Sequence, residues 1–296
     1  MRTVHRFLAL AGAAVVMVGV AACNNDNMSS STPILTQANA ESLATNVVAD
    51  VAGEIETATL DGAAGATASF SASVPGASAA ATQCIPTKSP SPIVDTDKDG
   101  VPDSIRIDYT GCVLSYPLST DTISGTIDVI DPTSAVADHA VKRVFTDFRR
   151  AVVDLLSGEH WSETQNGVRT ASRDTTVLHT SETNFRTDFV YANGNNAEHV
   201  RTWESIFTAD VPGSIQPNTL LPSGTWSVNG TSSWTRPKGT YSLTVTTNPA
   251  LHYNASCTVA PRFDAGKITA VVMKGTQTMT VTIEFTACGQ YTVTRS

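Results

Sequence analysis

Hydrophobic positions along the chain fall into three regimes. From Phe7 to Ala22 they form an unbroken apolar run, preceded by Arg2 and Arg6. A short basic segment followed by an apolar one is the layout of an export signal, removed after use, and not of a folded helix. Further on, Leu43, Val47, Val51 and Ile55 recur at every fourth position, with Val48 beside them and Ala, Thr, Asn, Asp and Glu between. That spacing predicts one amphipathic helix over about 37–60, ending near Asp61-Gly62, with its stripe packed on a sheet. From Cys84 onward the period drops to two. Runs such as TYSLTVTT and TMTVTIEF alternate apolar and polar residues, as a half-buried strand requires.

Turn residues punctuate this third regime: Ser157-Gly158, Asn166-Gly167, Asn193-Gly194, Asn229-Gly230, Pro237-Lys238-Gly239, Asp264-Ala265-Gly266 and Lys274-Gly275. Asn-Gly adopts the positive φ angles of a type I′ turn, so WSVNGTSSW predicts a hairpin turning at Asn229-Gly230. Over 141–156, Val141, Val144, Phe145, Phe148, Val152 and Leu155 fit a helical face, but the surrounding β pattern favours a strand. The expected layout is a signal segment at 1–22 and a polar, Ser-rich tether at 23–36. The helix and an Ala/Ser/Gly-rich segment follow at 37–83, then a β domain at 84–296. The expected fold class is all-β, mainly antiparallel sheet, built as a sandwich or a strongly curved half-barrel, with one N-terminal amphipathic helix.

A short echo joins the two ends of the β domain. IRIDYTGC ends at Cys112 and VTIEFTAC ends at Cys288. Ile105, Ile107 and Tyr109 share one face of their strand, as do Val281, Ile283 and Phe285, while Asp108 and Glu284 point the other way. Cys84 precedes the first motif and Cys257 the second. An exported chain favours disulfides, and four cysteines besides Cys23 allow three pairings. The echo selects Cys84–Cys112 and Cys257–Cys288, each closing one end of the domain.

Composition narrows the partners. Only 16% of residues are charged, the formal net charge is −8, and there is no Lys/Arg cluster. Nucleic-acid binding therefore has no electrostatic footprint. Loss of 1–22 leaves 17 basic against 27 acidic residues, a net charge of −10, which disfavours direct contact with anionic headgroups.

Val20-Ala21-Ala22-Cys23 resembles the lipobox of bacterial lipoproteins. The resemblance implies that Cys23 carries diacylglycerol, becomes the first residue of the mature chain and anchors it to the membrane. Asn24, in place of an aspartate, implies the outer membrane in a Gram-negative host. The stretch from Cys84 to Ser296, with Asp108-Tyr109-Thr110-Gly111-Cys112 early and Ile283-Glu284-Phe285-Thr286-Ala287-Cys288-Gly289 at the close, is similar to uncharacterised exported bacterial β-rich lipoproteins. That likeness implies fold and location and carries no activity.

One stretch carries candidate chemistry. Asp95, Asp97, Asp99 and Asp103 fall within DTDKDGVPD, with Gly100 at the sixth position and the Val101 carbonyl at the seventh. These are the first ligand positions of an oxygen-rich calcium loop. The wording resembles thrombospondin type 3 and dockerin-like repeats, which implies bound calcium. Position twelve, where such loops place a bidentate carboxylate, is Arg106. Two readings follow: a structural calcium site completed from elsewhere, or a solvated acidic turn leading into a strand.

Catalytic patterns are missing from the sequence: no G-x-S-x-G, no H-E-x-x-H and no phosphate-binding glycine loop occurs. His139, His160, His179, His199 and His252 have no ligand spacing. Trp161, Trp203, Trp226 and Trp234 are expected in the core or in cross-strand pairs. The chain reads as a non-enzymatic envelope lipoprotein with a structural or partner-binding role. A carrier of a lipid or other hydrophobic ligand is the alternative, and a hydrolase with a non-local site is the weaker one.

Overall fold

The computed structural model describes residues 40, 41, 43–53, 85–216, 219–237 and 239–296. The expected signal segment, Cys23, the tether, the Ala/Ser/Gly-rich segment and Cys84 lie outside the described residues. Helix α1 runs over 43–53 and strands follow from Thr87 to the C-terminus. In chain order these are β1 (Thr87–Ser89), β2 (Ser104–Asp108), β3 (Cys112–Ser115), β4 (Ser119–Ile130), β5 (His139–Asp154), β6 (His160–Arg173) and β7 (Val177–Val190). Then come β8 (Asn196–Ala209), β9 (Gly224–Arg236), β10 (Gly239–Thr247), β11 (Leu251–Tyr253), β12 (Phe263–Lys274), β13 (Gln277–Ala287) and β14 (Gln290–Arg295).

All of them join one sheet in the order β1-β2-β4-β5-β6-β7-β8-β9-β10-β12-β13-β14. Every pairing is antiparallel. Strands β2 and β3 lie end to end against β4, and β10 and β11 lie end to end between β9 and β12. The fold is therefore an up-and-down meander whose neighbours in sequence are mostly neighbours in space. It is one continuous antiparallel sheet, as the all-β reading expects.

The period-two pattern decides which face is inside. On β8, Trp203, Ser205, Phe207 and Ala209 are buried while Thr202, Glu204, Ile206 and Thr208 face out. On β13 the buried set is Met279, Val281, Ile283 and Phe285. Strand β2 buries Ile105 and Ile107, and Tyr109 follows them inward, so both halves of the echo bury their apolar residues, each in its own part of the core. Of segment 141–156, residues 141–154 are strand, most of β5, and 155–156 begin the turn after it.

A row of irregularities bends the sheet. Register shifts fall between Ser124 and Thr126 on β4, Phe145 and Phe148 on β5, Asn166 and Val168 on β6, and Glu182 and Phe185 on β7. Aligned on four adjacent strands, such bulges increase twist and bend the sheet along one line. Gly125 has φ +90°, and a Cβ there would lie 2.1 Å from the Asp147 carbonyl oxygen. Only glycine lets β4 and β5 approach so closely.

This row corrects the reading of Asn166-Gly167, which marks a bulge inside β6 and not a turn. Asn229-Gly230 is not a hairpin either: both lie mid-strand in β9, with Gly230 paired to Trp203 and Val245. A Cβ at Gly230 would sit 2.3 Å from the Thr202 carbonyl oxygen. That glycine answers to the close passage of β8, which local sequence does not report. Asp264-Ala265-Gly266 likewise lies within β12. Asn193-Gly194, Ser157-Gly158 and Lys274-Gly275 do connect strands.

The core has two parts. One gathers Val101, Ile105, Ile107, Tyr109, Ile123 and Phe148, with others, from β2 to β7. The other spans β7 to β13 and takes in the helix, where Ala40, Ala44, Val47, Val48 and Val51 are buried. The helical stripe therefore packs on the sheet, as its spacing requires; Ile55 lies outside the described residues. No described helix is long and apolar enough to cross a membrane. Cys257 and Cys288 form a disulfide across 31 residues, tying the turn after β11 to the β13–β14 turn. Cys112 is also disulfide-bonded.

Candidate metal centre and interior charge network

The acidic loop is held by its own backbone. Asp95 accepts the N–H groups of Lys98 (2.7 Å) and Gly100 (3.1 Å), and the turn needs positive φ at both, 64° and 94°. Asp97 Oδ1 accepts the Asp99 N–H at 3.2 Å, and Asp99 Oδ1 the Val101 N–H at 2.6 Å. The side chain of Val101 is fully buried and roots the loop in the core. Oxygens of Asp95, Asp97 and Asp99 all lie within 4.8 Å of one another.

Asp103 plays a different part. Its two oxygens accept the Thr96 N–H (2.8 Å) and the Thr96 hydroxyl (2.6 Å), while its own N–H donates to the Val94 carbonyl (2.9 Å). Thr96 accordingly holds the Asp103 carboxyl below its usual range. It pins the neck of the loop. Arg106 points to a cross-strand partner on β4, giving two hydrogen bonds to Asp128 at 2.7 and 2.8 Å.

The sequence reading missed Asp131. This residue follows β4, and its N–H donates to the carbonyls of Pro102 (3.2 Å) and Asp103 (3.3 Å), which sets it against the loop. It is 5% exposed. Its Oδ1 accepts from the N–H and hydroxyl of Thr133, but Oδ2 is buried with no hydrogen-bond partner, and so are Asp97 Oδ2 and Asp99 Oδ2. Burial raises the pKa of Asp99, and the negative charges of Asp97 and Asp131 raise it further, against the Val101 N–H. His139, at the start of β5, faces the same group. Burial and Arg173 lower its pKa, while Asp99 and Asp131 act in the opposite direction. The β2–β4 register would have signalled Asp131, since it pairs Ser104 with Ile130.

A second polar group crosses the interior face. Glu182 on β7 is nearly sealed from solvent; its Oε1 accepts from Arg169 of β6 (Nε, 2.8 Å) and from Arg201 of β8 (Nη2, 3.2 Å), and both guanidiniums form ion pairs with it. Burial alone would raise its pKa, but the two guanidiniums outweigh it and hold the carboxyl below its usual value. Arg169 also lies over the rings of Phe145 and Phe185, and Arg201 over Phe185 and Trp203. Arg143 stands directly opposite Arg169; burial and that neighbour lower its pKa to about 10. Asp50 of α1 faces the same network, and burial pushes it up to about 6 despite Arg201.

Towards one end of the strands the interior becomes aromatic. His199 stacks on Trp234 at 4.0 Å, and Phe189 and Tyr241 lie nearly parallel to Trp234 at 5.7 and 6.4 Å. Arg236 sits 4.7 Å over the Trp234 ring. Burial, with Arg201 and Arg236, lowers the His199 pKa to about 2, so the imidazole is neutral.

The scattered histidines hide one more arrangement. His252 on β11 reaches Asp264 of β12 with Nδ1 (2.6 Å) and Asp210 with Nε2 (3.0 Å). Both ring nitrogens thus serve carboxylates, which raises the His252 pKa and leaves neither nitrogen facing a hydroxyl nucleophile. This is a clamp between β11, β12 and the segment after β8, created by strand pairing and absent from local sequence. Cys257 and Cys288 lie near Asp264, but as a disulfide they offer no thiolate to a metal.

Set against models of known protein families, curated proteins and solved structures, the chain matches none of them.

Proposed function

We propose that the protein is a lipid-anchored component of the bacterial cell envelope. Cys23 holds it at the outer membrane, and its β domain is a non-enzymatic structural or partner-binding module fastened by calcium at the 95–103 loop. The observation that carries the calcium part is the convergence of Asp95, Asp97 and Asp99, whose carboxylate oxygens lie within 4.8 Å of one another while Asp97 Oδ2 and Asp99 Oδ2 are buried without a hydrogen-bond partner. Buried polar atoms are nearly always satisfied, and anionic ones are costly when they are not. A hard divalent cation among these three carboxylates would satisfy both unpaired oxygens, and calcium suits oxygen ligands in flexible number. Support for a non-enzymatic role comes from the way the interior carboxylates and His252 are engaged by partners. Anchoring rests on the lipobox-like Val20-Ala21-Ala22-Cys23.

Calorimetric titration of the detergent-extracted chain with calcium tests the metal. Saturable heat and a rise in Tm are expected; neither at millimolar calcium leaves a solvated acidic turn. Fractionation of cells carrying Cys23→Ser tests the anchor: loss of the membrane-bound pool is expected, and its full retention would overturn the lipidation.

The carrier reading draws on the aromatic row of Phe189, Trp234 and Tyr241, half-buried on the interior face. A copurifying lipid in native mass spectrometry, lost in Trp234→Ala, would favour it over a purely structural role.

A further inference from the structure

We infer that Asn193 is a site of spontaneous covalent modification. The exposed Asn193-Gly194 turn between β7 and β8 closes to a succinimide and reopens as isoaspartate or aspartate, while Asn166-Gly167 and Asn229-Gly230 stay intact in the folded chain. The inference goes beyond the proposed function and rests on neither the anchor nor the calcium reading.

The chemistry needs only water. The Gly194 backbone nitrogen gives up its proton and attacks Asn193 Cγ. A bond forms between that nitrogen and Cγ, the Cγ–Nδ2 bond breaks, and Nδ2 leaves as ammonia, taking a proton with it. Water then adds to one of the two ring carbonyls. Opening at Cγ gives aspartate; opening at the backbone carbonyl carbon gives isoaspartate, whose main chain runs through Cβ. Nothing is oxidised or reduced, and either product carries one new negative charge.

The three Asn-Gly pairs are alike in sequence, so their surroundings separate them. Ring closure requires the glycine nitrogen and the asparagine side chain to move towards each other. At Gly194, φ is +79° and nothing lies within 4 Å of the place a Cβ would take. Asn193 is exposed, and its Oδ1 accepts the Asn195 N–H at 3.0 Å, which polarises the carbonyl to be attacked. The Gly194 N–H donates to the Tyr191 carbonyl at 2.8 Å. A bond of that kind, at an exposed connection, opens at low cost.

The other two pairs are enclosed. Asn166 Oδ1 accepts the Asp147 N–H of β5 at 2.8 Å, and a Cβ at Gly167 would lie 3.0 Å from the Phe185 Cα. Gly230 is paired on both sides, with Trp203 of β8 and Val245 of β10. A Cβ there would lie 2.3 Å from the Thr202 carbonyl oxygen. For either ring to close, the pairing with neighbouring strands has to open first, at a cost that rises towards that of global unfolding.

The modification has a local consequence. Ring closure consumes the Gly194 N–H, so the Tyr191 carbonyl loses its donor, and isoaspartate then lengthens the connection by one backbone carbon. Tyr191 lies parallel to Phe189 at 6.2 Å, so the loosened turn borders the interior aromatic row.

The test incubates the full chain at mildly alkaline pH, folded and in urea, and follows the three Asn-Gly peptides by mass spectrometry. Each is scored for the amide-to-acid mass gain and for chromatographic splitting into two acid forms. In urea the three should react at similar rates. In the folded chain Asn193 should react first, with Asn166 and Asn229 at least about tenfold slower than in urea. The Asn193 rate should rise with pH, because the attacking nitrogen must lose its proton, and Asn193→Gln should remove the early product while leaving Tm unchanged. Asn166 or Asn229 reacting as fast as Asn193 in the folded chain, or Asn193 protected as well as they are, overturns the assignment. A single acid form at Asn193, with no isoaspartate, overturns the succinimide route.

Discussion

Replacing Asp50 by Asn should stabilise the protein at neutral pH and do nothing at acid pH. Asp50 lies on the sheet-facing side of α1, next to the interior network of Glu182 and Arg201. Burial penalises its charged form, Glu182 repels it, and the attraction of Arg201 does not compensate, so its pKa rises from 3.8 to about 6. Below pH 3.8 the carboxyl is protonated in folded and unfolded chains alike, and the helix docks at no electrostatic cost. As pH climbs, the unfolded chain releases the proton first, and stability falls until the folded group also ionises near pH 6. Each pKa unit corresponds to about 1.4 kcal/mol, so the full loss is about 3 kcal/mol. The side chain keeps some contact with solvent, which reduces the expected effect to roughly 2 kcal/mol. Asn is a near-isosteric copy of the neutral acid and escapes this loss. Urea unfolding of wild type and Asp50→Asn at pH 4 and pH 7.5 checks the reasoning. The difference should be near zero at the lower pH and favour the variant by about 2 kcal/mol at the higher, or roughly 2–4 °C in Tm per kcal/mol. A variant less stable than wild type at pH 7.5, or an equal difference at both, would falsify it: the charge of Asp50 would then be useful to Arg201, not a burden on the helix.

Other perturbations address the remaining parts. Glu182→Gln leaves Arg169 and Arg201 without their buried counter-charge and should cost about 3–5 kcal/mol by denaturant titration; a wild-type midpoint would mean that water already neutralises them. Gly125→Ala places a methyl group against the Asp147 carbonyl at a positive φ, so a loss of about 2 kcal/mol or more, or failure to accumulate, is expected on expression and melting. His252→Gln should destabilise most at acid pH. The raised pKa of His252 means that its two carboxylate contacts contribute fully below about 6.5 and fade as pH rises through the higher folded value. Thermal melts at pH 5.5 and 9 should therefore show the larger deficit at pH 5.5.

Much of the architecture was legible because strands announce themselves by burial on alternate positions. Ile105, Ile107 and Tyr109, and Val281, Ile283 and Phe285, lie inside as their spacing requires, and the cysteine after the second motif pairs with the one before it. The helix on 43–53 was equally readable from its four-residue repeat. Glycine misled at three points, Gly167, Gly230 and Gly266, for one reason. Gly167 and Gly230 look like turn residues because a turn needs glycine, but a bulge and a close strand need it too. Local sequence cannot separate those demands, since the second involves atoms of another strand.

The candidate site divides along the same line. Sequence alone determined the acidic loop, its Gly100 turn and the absence of a ligand at Arg106, because all three are properties of consecutive residues. Tertiary structure alone decided that Asp103 braces Thr96, that Arg106 belongs to Asp128, and that the backbone of Asp131 meets the end of the loop at Pro102 and Asp103. It also decided that Glu182 sits between two arginines and His252 between two aspartates. Apart from the Thr96–Asp103 brace inside the loop, each of these joins residues from different strands or connections, and the register of an antiparallel sheet, which no local pattern states, sets which of them meet.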